Sequence, residues 1–264
     1  MRLLHNRGEF LAGLLRALHD LVFPPVCLFC EQRLNSSLPP LFCRSCLQDI
    51  TPIVSPLCVC CGAPFPGGED HMCGSCLSAP PAFDRCRSLF YYEPPLSSLL
   101  VQLKFTGRTA VLPSLAVLAR QRMTAGLLSD PDVIIPVPLH PHRLRARGFN
   151  QAVLVARRLF PNKTSCVDVR TLIRHKATRP QTQLKGKERR TNLAASFSLT
   201  AEGAIQGKKI LLVDDVYTTG STVLACAQVL RQAEPETIQV LTVARSVPGR
   251  LSLKVSSQLA NHQW

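Results

Sequence analysis

The run Lys209-Ile210-Leu211-Leu212-Val213-Asp214-Asp215-Val216-Tyr217-Thr218-Thr219-Gly220-Ser221-Thr222 decides the reading of this 264-residue chain. Its four aliphatic residues predict a short buried strand with two carboxylates at the C-terminal tip. A small-residue loop follows and opens a helix over residues 223–232. Such a loop offers free backbone N–H groups and the positive end of the helix dipole, which together suit a phosphate. Gly220 permits close backbone approach, and the Thr and Ser hydroxyls add donors. Adjacent carboxylates just before the loop can accept hydrogen bonds from two neighbouring hydroxyls, so a ribose 5-phosphate matches the pattern.

Outward from this run, apolar stretches alternate between strand and helix signatures. Residues 88–92, 132–137, 165–173, 208–213 and 238–244 read as strands, and residues 113–121 and 151–160 as helices. Such alternation predicts an α/β domain with a mostly parallel sheet and helices on both faces. Ligands of such sheets bind outside the carboxyl ends of the strands, where the Asp-Asp pair sits.

The Asp-Asp…Thr-Thr-Gly-Ser-Thr run resembles the phosphoribosyl pyrophosphate (PRPP) motif of type I phosphoribosyltransferases. Two further stretches carry functional residue types. Residues 136–152, PVPLHPHRLRARGFNQA, leave a strand end, pass Arg143, Arg145 and Arg147, and enter a helix. Arginines at such a turn can grip a diphosphate with forked, charge-assisted hydrogen bonds. Residues 179–197, including Arg179 and Arg190, are polar and basic, a composition suited to a loop closing over a phosphate-rich ligand.

Upstream lies a different chemistry. Of twelve cysteines, eight form the pairs Cys27/Cys30, Cys43/Cys46, Cys58/Cys61 and Cys73/Cys76, each with two intervening residues. Two such knuckles can supply four thiolates in a tetrahedron, the donor set of structural zinc. Two consecutive sites are the simplest arrangement, although the spacing also permits pairing the first knuckle with the third and the second with the fourth. Four thiolates leave no open coordination position, so the sites read as structural. Cys60 lies between two of these ligands and is surplus, and Cys86, Cys166 and Cys226 lie outside the module and read as small buried residues.

A formal charge of +14 points to polyanionic company: nucleic acid, polyphosphate substrates or an acidic partner. Apolar positions between residues 9 and 23 form one helical stripe broken by Arg16, His19 and Asp20, which fits neither a signal-peptide core nor a membrane span. Paired cysteines without a secretory signal indicate the reducing cytoplasm. The chain thus divides into an amphipathic helix (1–26), a Cys-rich module (27–80), an α/β domain (82–250) and a polar tail (251–264).

With Leu103-Lys104-Phe105-Thr106-Gly107-Arg108 and the cysteine ribbons, these stretches resemble the ComF family: a double zinc ribbon fused to a type I phosphoribosyltransferase domain. The resemblance implies that Asp214 and Asp215 hold the ribose hydroxyls of PRPP. It implies that Thr218, Thr219, Gly220, Ser221 and Thr222 hold the 5-phosphate. Arg143, Arg145 or Arg147 would hold the pyrophosphate, with Mg²⁺ bridging ligand oxygens. It also implies a role in natural competence and DNA uptake. One position departs from hypoxanthine-guanine-type enzymes, which carry an aspartate where this chain has Thr218, so no acceptor base is named. Tyr217 and Phe149 are candidate base-stacking rings that serve equally well as core. The other reading is a non-catalytic single-stranded-DNA-binding or PRPP-sensing scaffold that docks proteins of the competence machinery.

Overall fold

The computed structural model describes residues 20, 22–124, 126–175, 195–200 and 204–249. The amphipathic stripe, apart from its last residues, and the polar tail lie outside them, as do Arg179 and Arg190.

Four strands form one parallel sheet: β1 (Arg85–Tyr91), β2 (Val133–Pro136), and later β5 (Lys209–Tyr217) and β6 (Thr237–Arg245). Their order is β1-β6-β5-β2, so the Asp-Asp strand is central, and Val167 extends the far edge by a bridge to Ile134. A short antiparallel pair, β3 (Leu172–Arg174) and β4 (Phe197–Leu199), stands apart. The helices are α1 (Arg44–Asp49) and α2 (Gly74–Ser78) in the ribbons, then α3 (Leu96–Thr106), α4 (Leu112–Arg122), α5 (Pro141–Arg147), α6 (Gln151–Leu159) and α7 (Ser221–Arg231).

Strand alternation divides the core in two. Leu211 and Val213 of β5 pack with α3, α4, α6 and the first ribbon's Cys27, Phe42 and Cys46. Ile210 and Leu212 pack on the other face with α7 and the second ribbon's Cys58, Cys61 and Cys76. The sheet therefore has helices on both faces as expected, with one ribbon against each.

The second ribbon region also protects the sheet edge. Cys86 N–H donates to the Cys60 carbonyl at 2.7 Å, Ile53 N–H to Leu89 at 3.0 Å, and Tyr91 N–H to Thr51 at 3.0 Å. These bonds satisfy groups on β1 that an open edge would expose. A Cβ on Gly62 (φ +68°) would collide with the Cys86 carbonyl, so glycine permits this close approach.

Three elements differ from the sequence expectation. The strand expected over 165–173 forms only at its end: a 3₁₀ turn, Pro161–Cys166, a single bridge at Val167 and a bend precede β3, which takes in Leu172 and Ile173. There the Asp168 carboxylate takes the N–H groups of Arg170 (2.7 Å) and Thr171 (3.1 Å), diverting them from a ladder. Strand β5 runs four residues beyond the expected Val213, carrying both aspartates within it. The arginines expected on a turn lie on α5, which begins with Pro141 and is capped by His140, whose Nδ1 accepts from His142 N–H at 3.2 Å.

Candidate phosphoribosyl site and cysteine centres

The carboxyl ends of β2 and β5, with α3, α5 and α6, enclose an open cleft of about 600 Å³. Asp214, Asp215, Thr218 and Thr222 line one side, and His142, Arg143 and Arg147 another. Lys104, Phe105 and Arg174 complete the rim. Arg145, although exposed on the same helix, does not line the cleft.

Asp215 is only 2% exposed, and Lys104 Nζ forms an ion pair with its Oδ2 at 2.9 Å. Asp214 is half-buried. Burial first, then the like charge of Asp215, holds its carboxyl well above the usual carboxylate range, with Lys104 partly offsetting this. Two adjacent carboxylates thus share a single lysine at the cleft wall.

The loop after β5 is held from behind. Gly220 adopts φ +74°, and a Cβ there would run into the Tyr217 phenol ring. Thr219 Oγ1 lies 2.8 Å from Ser221 Oγ and accepts from Ser221 N–H at 3.4 Å, so both hydroxyls cluster at the start of α7. Leu224 N–H returns to the Gly220 carbonyl at 2.8 Å, closing the first turn. The N-cap residue, Gly220, makes no side-chain cap, so beyond Ser221 N–H the first turn of the helix stays open to an anion.

Tyr217 is 7% exposed and belongs to the core beside the second ribbon, so it is not a stacking ring. The Arg245 guanidinium lies 4.1 Å from its ring centroid and donates through Nη1 to the Cys61 carbonyl at 2.7 Å. The loop after β5, Tyr217, Arg245 and the third cysteine knuckle thus form one contact chain. Phe149 is partly buried against the other core cluster. The exposed aromatic of the cleft is instead Phe105, 75% exposed, with the Arg147 guanidinium 5.6 Å from its centroid.

Arg147 also donates to Gln151 Oε1 at 2.6 Å, which aims it across the cleft from the first turn of α6. Burial lowers the pKa of Arg147, and burial, followed by Arg143, lowers that of Arg174. Guanidiniums gathered in this way favour an anionic ligand. Lys104, Arg174, His142 and Phe105 were not assigned roles from sequence. The only local signal was a basic residue beside an aromatic in the last turn of a helix, a pattern that many surface helices share.

The cysteines form two consecutive sets, Cys27/Cys30/Cys43/Cys46 and Cys58/Cys61/Cys73/Cys76, with all sulfurs of a set within 4.8 Å of one another. The interleaved pairing is thereby eliminated. Sγ–Sγ separations of 3.5 Å (Cys30–Cys43) and 3.8 Å (Cys61–Cys73) suit a tetrahedron with Zn–S bonds of about 2.3 Å. Cys58 Sγ accepts N–H groups from Cys61 (3.4 Å) and Cys73 (3.3 Å), which favours its thiolate. The donor sets fit Zn²⁺. Cys86 and Cys226 are fully buried, as expected of small core residues, whereas Cys166, expected to be buried too, is only partly so because it ends a 3₁₀ turn at the margin of the core.

Comparison with known proteins agrees with this division. Residues 18–77 match the double zinc ribbon domain family, and residues 121–255 the phosphoribosyl transferase domain family. The chain is 38% identical over 231 residues to the DNA utilization protein YhgH of Salmonella typhi, covering 86% of this chain and 100% of that protein. It is 34% identical over 230 residues to competence protein F of Haemophilus influenzae, covering 83% of this chain and 96% of that one. Competence protein ComFC of Bacillus subtilis is 24% identical over 240 residues, 84% of this chain and 95% of that protein. No helix among the described residues is long and apolar enough to cross a membrane. The chain belongs to the ComF/YhgH family, in which a double zinc ribbon precedes a type I phosphoribosyltransferase domain.

Proposed function

We propose that the cleft binds PRPP with Mg²⁺ and that the protein transfers the phosphoribosyl group to an acceptor in DNA uptake or utilization. One observation carries this reading: the buried Asp214–Asp215 pair and the uncapped start of α7 face His142, Arg143 and Arg147 across a single cleft. The carboxylates suit the ribose 2- and 3-hydroxyls, and the Thr218–Thr222 segment suits the 5-phosphate. The arginines of α5 suit the pyrophosphate, with Arg179 and Arg190 as further candidates on the chain. Mg²⁺, when bound, supplies charge neutralisation on the leaving pyrophosphate. The chain's own residues supply positioning and electrostatic complementarity for a displacement at the anomeric carbon. Arg143 and Arg147 draw the pyrophosphate away, while the fixed carboxylates hold the sugar. Lys104 orients Asp215 through their ion pair.

Each four-cysteine set holds a structural Zn²⁺. The names of the relatives, DNA utilization protein and competence protein, support the cellular setting, and the +14 charge supports a polyanionic partner such as single-stranded DNA. Thermal unfolding with PRPP tests the site: Mg²⁺-dependent stabilisation is expected in the wild type and lost in Asp214→Asn/Asp215→Asn. Stabilisation that survives in the double variant refutes the assignment.

A further inference from the structure

A second cavity, of about 390 Å³, shares no lining residue with the phosphoribosyl cleft. It lies where residues 53–57 and Asp70 meet β1 and the C-terminal end of α4. Its volume is at the lower end of small-ligand sites, which run from about 300 to 1,000 Å³. Three guanidiniums line it, those of Arg85, Arg87 and Arg122, against one carboxylate, Asp70. That carboxylate is already engaged, since its Oδ1 accepts from Ser55 Oγ at 2.5 Å and from Leu57 N–H at 2.6 Å. Three arginines less one aspartate leave a formal charge of +2 around one small space.

The arginines are incompletely satisfied. Arg87 is 8% exposed, and its Nη1 is the nitrogen that donates to the carbonyls of Cys58, Val59 and Cys86. Arg85, which is exposed, donates to the Gly126 carbonyl at 3.4 Å, a long bond. Arg122 Nε is buried with no hydrogen-bond partner. A buried N–H without an acceptor is costly, and three like charges around one cavity add repulsion. An oxyanion in the space offsets this repulsion, because guanidinium forks match the oxygens of phosphate.

We infer that this cavity is a second anion site that binds a phosphate group, held by Arg85, Arg87 and Arg122 at the seam between the second ribbon and the sheet. The site stands independently of the PRPP reading, because no residue is shared and no transfer chemistry is involved. The phosphate arises either from a small phosphorylated molecule or from a phosphodiester of single-stranded nucleic acid.

The test uses the full chain. Arg87 is left intact because it fastens the ribbon, whereas Arg85→Gln/Arg122→Gln removes two guanidiniums with few protein partners. Thermal unfolding is followed against inorganic phosphate at constant ionic strength, with chloride as control. The wild type is expected to rise in Tm with phosphate, and the arginine double variant to lose at least half of that rise. Thr219→Val/Ser221→Ala, altered only in the cleft loop, is expected to retain the portion that the arginine variant loses. Binding of a short oligothymidylate distinguishes the source. If the phosphate is a diester, the arginine variant binds about tenfold more weakly and its log–log salt slope falls by about 0.7, the release expected for one single-strand phosphate. Unchanged oligonucleotide affinity with a lost phosphate response assigns the site to a small phosphorylated ligand. An arginine variant that matches the wild type with both probes overturns the inference.

Discussion

Replacing Lys104 by Met tests the electrostatic core of the cleft. Lys104 Nζ lies 2.9 Å from Asp215 Oδ2, and the two side chains are 25% and 3% exposed. Removing one partner of a buried pair costs about 3–5 kcal/mol, because the remaining charge is left uncompensated. Water reaches the lysine end, so about 2–3 kcal/mol is expected here, a fall in Tm of roughly 4–12 °C for a chain of this size. Removing both partners in Lys104→Met/Asp215→Asn should restore most of this, since no buried charge is then orphaned. The deficit should also shrink between pH 8 and pH 5. Asp214, whose carboxyl is held high by burial and by Asp215, takes up a proton as the pH falls and removes the like charge beside Asp215. Urea unfolding of wild type and of the single and double variants at both pH values reads all three effects. A Lys104→Met protein within about 0.5 kcal/mol of wild type, the range of ordinary surface substitutions, would refute the reasoning.

Other consequences follow from the same geometry. Gly220→Ala forces a side chain into left-handed backbone and against the Tyr217 ring, at a cost of about 2–4 kcal/mol by urea unfolding, and unchanged stability would contradict the packing described. Arg245→Met leaves the Cys61 carbonyl without its guanidinium donor, so a chelator should strip one of the two zinc ions faster while the other keeps its wild-type rate. Arg245→Lys should recover part of this, and equal release from both sites would break the proposed contact chain. Asp214→Asn removes an acid whose folded pKa is raised, so the wild type loses stability as the pH climbs from the ordinary carboxylate range to that raised value. The variant should therefore gain up to about 1–2 kcal/mol at pH 8, with the gain shrinking toward pH 4, and a constant difference across that range would argue against the raised pKa.

Much of this was legible in the chain because it rests on local pattern. The aliphatic run before Asp214 can only be a buried strand, and the small residues after it require a tight turn into a helix. The Cys-x-x-Cys spacing picked out the eight donors, although only the structure separated consecutive from interleaved pairing. What escaped depends on distant chain meeting distant chain. Lys104 sits on an ordinary-looking apolar helix, and nothing nearby in sequence announces its reach to Asp215. Arg245 closes a strand, and its link to Cys61 exists only because β6 runs beside β5 with the ribbon against the sheet. The arginines of α5 read as a turn between a strand end and a helix, whereas Pro141 starts a separate helix there, its missing N–H carrying no penalty at the first helical position. Asp168 diverted the backbone N–H groups that the β-rich composition of 165–173 assigned to a strand.

Calorimetric titration of PRPP into the zinc-loaded full chain with Mg²⁺ tests the central claim most directly. One PRPP per chain is expected, with weaker binding of ribose 5-phosphate and of pyrophosphate, each of which fills one end of the cleft. Affinity should fall sharply both in Asp214→Asn/Asp215→Asn and in Arg143→Gln/Arg147→Gln. No binding of PRPP with Mg²⁺ by the wild-type chain, or equal binding by all three proteins, would contradict the account.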